Sequence, residues 1–146
     1  MYQRMVLAYD GSRDGRAALQ QGADLASRCQ ARVYLVAVIA NAADLLLAES
    51  VYPSGELIAQ QLQEVELTLS EGKRCLLERG LEVETRLCRG QAVEEIAAVA
   101  RDINADLIVV GHREQSTLAR WWRGSVGQSL LAQTPCSVLV CVMDHA

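Results

Sequence analysis

Apolar positions along this chain switch between two spacings. Five short stretches rich in Val, Leu, Ile and Ala read as strands: RMVLAY (4–9), ARVYLVAVIA (31–40), LEVETRLC (81–88), ADLIVVG (105–111) and CSVLVCV (136–142). Between them the apolar residues recur at helical steps. Ala18, Gly22, Leu25, Ala26 and Cys29 line one face over 14–29. Ile58, Leu62, Val65, Leu69 and Leu76 do so over 55–79, with Ser54 as N-cap and Gly80 as stop. Val93, Ile96, Ala97, Ala100 and Ile103 do so over 91–103, and residues 125–133 read as a short helix. The segment 41–55 loses periodicity and ends in Pro53-Ser54-Gly55, a loop signal.

The order of these elements constrains the class. Strands alternating with helices require right-handed crossovers, hence a parallel sheet with helices on both faces. LEVETRLC alternates apolar and polar residues, which places it near an edge with one face exposed; Leu107–Val110 is apolar throughout, as a central parallel strand must be. In such sheets a ligand binds beyond the carboxyl ends of the strands, where strand order reverses. The loops of interest therefore follow the first, second and fourth strands: Asp10-Gly11-Ser12, the segment from Ile39, and the stretch from Gly111 to Ser125.

Composition narrows the functional classes. With 146 residues and 51% hydrophobic content, the chain has the size and core of one domain over 1–146; no internal repeat, linker or low-complexity tract divides it. Phe is absent, so aliphatic side chains must fill the core. A net charge of −4 offers no overall attraction to nucleic acid or to anionic membranes, and neither is expected as a partner. The opening MYQRMVLAYD lacks the pattern of a signal peptide, and no run nears the roughly 18 apolar residues of a membrane span. A cytoplasmic location is expected. The five cysteines are odd in number and form no C-x-x-C, so they read as small buried hydrophobes in a reducing compartment. His112 and His145 do not pair with a cysteine at ligand spacing, and no metal site is expected.

Taken in order, AYDGS after the first strand, Gly90 before the third helix, ADLIVVG, RGSV (123–126) and TPCSVLV (134–140) resemble the universal stress protein family over essentially the whole length. The resemblance implies a doubly wound, Rossmann-like fold of the adenine nucleotide alpha hydrolase type, a five-stranded parallel sheet in the order 3-2-1-4-5. It also implies ATP or AMP as ligand, with or without magnesium, a role in stress response or signalling, and a homodimer built from the last strand, residues 137–142. The nucleotide-binding branch carries a glycine, two residues, a glycine, nine residues, then glycine and serine or threonine. Here Gly111, Glu114 and Gly124-Ser125 keep that spacing, and Glu114 replaces the second glycine. By resemblance, Asp10 and residues near Val38 contact adenine or ribose, Gly111, Gly124, Ser125 and Val126 line the phosphates, and Gly11, Ser12, Arg113 and Glu114 belong to the binding site.

Each candidate has a simpler role beside the functional one. Gly124-Ser125 at a helix start offers free N–H groups and a favourable dipole to an anion, or makes an ordinary N-cap; spacing favours the anion. Asp10 accepts from a ribose hydroxyl or holds an Asx turn over Gly11, and the two are compatible. Arg113, Arg120 and Arg123 either neutralise phosphate or decorate a solvated loop, and Trp121-Trp122 either stacks on a base or anchors the loop. Glu114 opposes the site, since a carboxylate about 5 Å from a phosphate charge costs on the order of 3 kcal/mol at an effective dielectric near 20, unless it swings into water, pairs with Arg113 or Arg120, or reaches a bound magnesium. Three functions follow: nucleotide-binding stress protein, nucleotide-independent interaction protein, and slow ATPase. No nucleophile with a general base can be assigned, so no catalytic residue is named and the third has least support.

Overall fold

The computed structural model describes residues 1–11, 13–39, 55–111 and 133–141, and of Arg13 and Asp14 the backbone only. Strand β1 (Arg4–Ala8) is buried at every position after Arg4. Its side chains alternate between two cores: Met5 and Leu7, with Tyr9 just beyond, face one side, and Val6 and Ala8 face the other. Helix α1 (Arg13–Cys29) and helix α2 (Gly55–Glu78) cover the first side; helix α3 (Ala92–Asp102) covers the second. The remaining strands are β2 (Arg32–Ile39), β3 (Val83–Arg89), β4 (Leu107–Gly111) and β5 (Ser137–Cys141).

All four strand pairings are parallel, and the sheet order is β3-β2-β1-β4-β5, the doubly wound order that the resemblance implies. β3 lies at one edge, as its alternation predicts, and β5 at the other. β4 is buried throughout. Strand and helix limits fall within two residues of those read from the sequence. The largest shifts, two residues each, are at β3, which starts at Val83 rather than at Leu81, and at β4, which starts at Leu107 rather than at Ala105. Ala105 N–H donates to the Ala100 carbonyl at 2.9 Å and so belongs to the end of α3. Asp106 has a separate task. Its carboxylate accepts from the backbone N–H of Gln3 (2.8 Å) and of Arg4 (3.2 Å), clamping the amino ends of β1 and β4 together.

Two sequence expectations need correction. On α2, Leu69 and Leu76 are buried, whereas Ile58, Leu62 and Val65 are only half-buried. A helix of 24 residues spans about 36 Å, while the seven-residue strand β3 beside it spans about 23 Å. The amino-terminal half of α2 overhangs the sheet. The cysteines also divide: Cys141 is buried, Cys29, Cys88 and Cys136 are half-buried, and Cys75 is exposed, because its side of α2 faces the neighbouring helix rather than the sheet. The short helix expected over 125–133 lies outside the described residues except for Gln133.

Gly72 sets how closely α2 lies on the sheet. A Cβ there would stand 2.9 Å from Leu35 Cδ2 and 3.0 Å from the Tyr9 ring. Gly72→Ala gains about 1 kcal/mol of helix propensity but forces this contact apart, and we expect a net loss of about 1–3 kcal/mol. Guanidinium unfolding measures it, and a more stable variant would show that α2 has room to lift. Burial also holds the thiols of Cys136 and Cys141 above the usual 9.0 and the phenol of Tyr9 above the usual 10.0. The folded state then keeps protons that the unfolded chain releases, so this contribution is complete below the ordinary thiol value and is lost as pH rises through the raised ones. Melting temperature should fall from about pH 8 to about pH 10, less steeply in Cys141→Ala; equal slopes would discount Cys141.

Candidate functional site: the crevice at the carboxyl edge

At the carboxyl edge the sheet comes apart at one seam. Registered pairing between β1 and β4 ends at Leu7–Val109, although β4 continues to Gly111. On either side the ladders run on: β2–β3 reaches Ile39–Arg89 and β4–β5 reaches Gly111–Cys141. On the other side of β1 the ladder runs one rung further, Tyr9 N–H donating to the Val36 carbonyl on β2 at 2.9 Å. This is the point where strand order reverses, with Asp10-Gly11 following β1 on one side and Val110-Gly111 ending β4 on the other; in such sheets it is where a crevice is expected.

Gly11 turns the chain from β1 into α1 with φ +79°, a conformation that side chains rarely adopt. A Cβ there would also press on the Thr68 methyl at 3.1 Å. Thr68 stands on α2 where that helix passes the sheet edge, and its hydroxyl donates to the Glu64 carbonyl at 3.0 Å. Nothing in the sequence marks Thr68, a polar residue between apolar helical steps. Asp10 is exposed beside this turn. Val38 pairs in register with Cys88 and packs its half-buried side chain toward the α3 core, so only its backbone faces the edge. Gly90 N–H extends that seam by donating to the Ile39 carbonyl at 3.0 Å, and the Glu95 carboxylate lies against Gly90. Burial, and then the Glu95 charge, push the Cys88 thiol above its usual range.

Four of the residues singled out in the sequence thus share one edge: Val38 at the end of β2, Asp10 and Gly11 after β1, and Gly111 closing β4. Ser12, Arg113, Glu114, Gly124, Ser125 and Val126 lie outside the described residues. Among the described residues, no group of three His, Cys, Asp or Glu is placed to hold a metal ion, and no helix is long and apolar enough to cross a membrane.

The universal stress protein family matches residues 1–141. A universal stress protein of Methanocaldococcus jannaschii is 31% identical over 142 residues, covering 96% of this chain and 82% of the relative. Among solved structures, a universal stress protein family member from Burkholderia pseudomallei superposes with a TM-score of 0.72 at 26% identity, over 95% of each chain. The fold is shared with a universal stress protein of Archaeoglobus fulgidus in complex with dAMP (TM-score 0.66, 22% identity, 95% and 97% covered). It is shared also with an Arabidopsis thaliana family protein with AMP bound (TM-score 0.68, 16% identity, 98% and 93% covered). The chain described here belongs to the universal stress protein family.

Proposed function

We propose that this protein binds an adenine nucleotide, AMP or ATP, in the carboxyl-edge crevice and acts in stress response or signalling by binding rather than by turnover. The observation that carries this reading is that β1–β4 pairing ends at Leu7–Val109 while β4 runs on to Gly111, at the point of strand-order reversal where such sheets bind ligands. The residues present suit the ligand. Gly11 makes the left-handed turn that brings the chain past the edge, with Thr68 against its Cα, and Asp10 brings a carboxylate suited to ribose hydroxyls. Two family members of the same fold hold AMP and dAMP.

The phosphate end of the proposed site falls to Gly111, Gly124, Ser125 and Val126, with Arg113 as counter-charge and Glu114 in the place of the second motif glycine. Denaturing the purified protein and identifying any released nucleotide by mass spectrometry tests the reading directly. If Glu114 only repels phosphate, Glu114→Gly should tighten ATP binding by about five- to 150-fold, equivalent to roughly 1–3 kcal/mol. The gain should be larger for ATP than for AMP and should shrink with added salt. Calorimetric titration of both proteins with both nucleotides decides it. No gain defeats the repulsion, and a loss makes Glu114 a ligand contact through magnesium. Absence of binding in both proteins supports the nucleotide-independent alternative.

We further propose that the protein is a homodimer joined through the last strand, residues 137–142. β5 is an edge strand whose Leu139 is exposed, and an unprotected apolar edge favours pairing with another strand. Light scattering at micromolar concentration should give twice the chain mass, and Leu139→Lys should return it to the monomer. A wild-type monomer would refute the assembly.

A further inference from the structure

Helix α2 supplies none of the residues assigned to the proposed nucleotide site, yet it meets the turn that carries Asp10 at two points. Thr68 and Gly72 are four residues apart and lie one above the other on one face of the helix. Gly72 packs under the Tyr9 ring: a Cβ there would come to 3.0 Å from Tyr9 Cδ2 and Cε2. Thr68 packs under Gly11: a Cβ on that glycine would stand 3.1 Å from the Thr68 methyl and 3.4 Å from its hydroxyl oxygen. One ridge of α2 thus meets the residue before Asp10 and the residue after it.

Both contacts are backed by further bonds. Tyr9 is buried, its N–H donates to the Val36 carbonyl at 2.9 Å, and its phenol is hydrogen-bonded to Arg16. Arg16 in turn meets Glu71, the neighbour of Gly72, at 3.3 Å. On the other flank the Thr68 hydroxyl donates to the Glu64 carbonyl at 3.0 Å, which ties a β-branched side chain to its own helix. Gly11, with φ +79°, has no side chain to fill the space that the Thr68 methyl occupies. Peptide planes are rigid, so holding Tyr9 and Gly11 leaves the backbone of Asp10 little freedom. Its exposed carboxylate then leaves the chain in a fixed direction.

We propose that Thr68 is a positioning residue for the crevice: through Gly11, with Gly72 and Tyr9 fixing the other flank, it aims the Asp10 carboxylate at the ribose hydroxyls of the nucleotide. This rests on the nucleotide reading given above and assigns part of the affinity to a helix that touches no ligand. The physical reason is preorganisation. A carboxylate accepts from a hydroxyl only within a narrow range of distance and angle. A turn free to swing must be ordered when the ligand arrives, and the entropy of that ordering is lost from the affinity. A turn already held between Tyr9 and Gly11 avoids that cost. The residue types fit the task, since glycine at 72 lets the helix come close and threonine at 68 offers a methyl to the turn and a hydroxyl to α2.

The test titrates the full chain by calorimetry with AMP and with its dideoxyribose analogue, which keeps base and phosphate but offers Asp10 no hydroxyl. Wild type should prefer AMP. Thr68→Ala takes the methyl away from Gly11 and should weaken AMP binding about fivefold, a coupling of the size that residues in contact commonly show, with the dideoxy ligand changed by less than about twofold. Thr68→Val keeps a methyl on Gly11 and should restore the wild-type affinity for AMP. Equal losses for both ligands, no loss in Thr68→Ala, or no wild-type preference for AMP overturns the proposal. A wild type that binds neither ligand defeats the nucleotide reading instead, and NMR order parameters of Asp10 and Gly11 then decide whether α2 holds the turn. They should fall in Thr68→Ala and recover in Thr68→Val; identical values in all three proteins overturn the hold itself.

Discussion

β1 is paired on both sides and covered on both faces, and this confinement governs the rest of the molecule. Met5, Val6 and Leu7 expose at most 1% of their surface, and no polar or charged residue is buried among those described. Fully burying such side chains contributes about 1.5–3 kcal/mol each. A strand so enclosed has no room for chemistry along its length. The first polar side chain after it is Asp10, where the chain leaves the sheet. In the proposed reading, the same packing that stabilises the centre leaves the carboxyl edge as the place for binding.

The two ends of the β1–β4 seam are treated differently. At the amino end Asp106 ties two backbone N–H groups, and Arg4 Nε adds a bond to the Asn104 carbonyl at 3.1 Å. At the carboxyl end pairing stops at Leu7–Val109 and the strands separate. One acidic residue and one loop turn thus give a sheet that is closed below and open above, with the same strands and no change in their hydrophobicity.

Much of this was legible in the sequence because it depends on local periodicity. β3 reads as an edge strand from its own alternation, and the sheet class follows from element order. Asp10, Gly11, Val38 and Gly111 could be placed together because each ends or follows a strand of a known order. Features that depend on two distant segments were not legible. The half-burial of Ile58, Leu62 and Val65 follows from α2 being longer than its neighbouring strand, which no helical pattern reveals. Cys75 lies between Lys73-Arg74 and Leu76-Leu77 in sequence, and only the placement of α1 opposite it decides that the thiol faces a groove. Asp106 looks like the second residue of a strand until Gln3 and Arg4 are brought beside it.

The β1–β4 seam also has a kinetic side. Met5 pairs with Leu107, 102 positions along the chain, whereas the other ladders join residues 28 (Arg4–Arg32), 50 (Val33–Val83) and 30 (Leu107–Ser137) positions apart. The entropy of closing a loop rises with its length, so this pairing is the hardest to establish during folding. It joins the β1-α1-β2-α2-β3 half to the half that begins with α3. Amide hydrogens along it report on how firmly the two halves are held together, and exchange there measures a different opening from exchange within either half. A molecule held across the upper end of the seam would span both halves at once, adding to the strand pairing and to the packing of α3 and α1 that already join them.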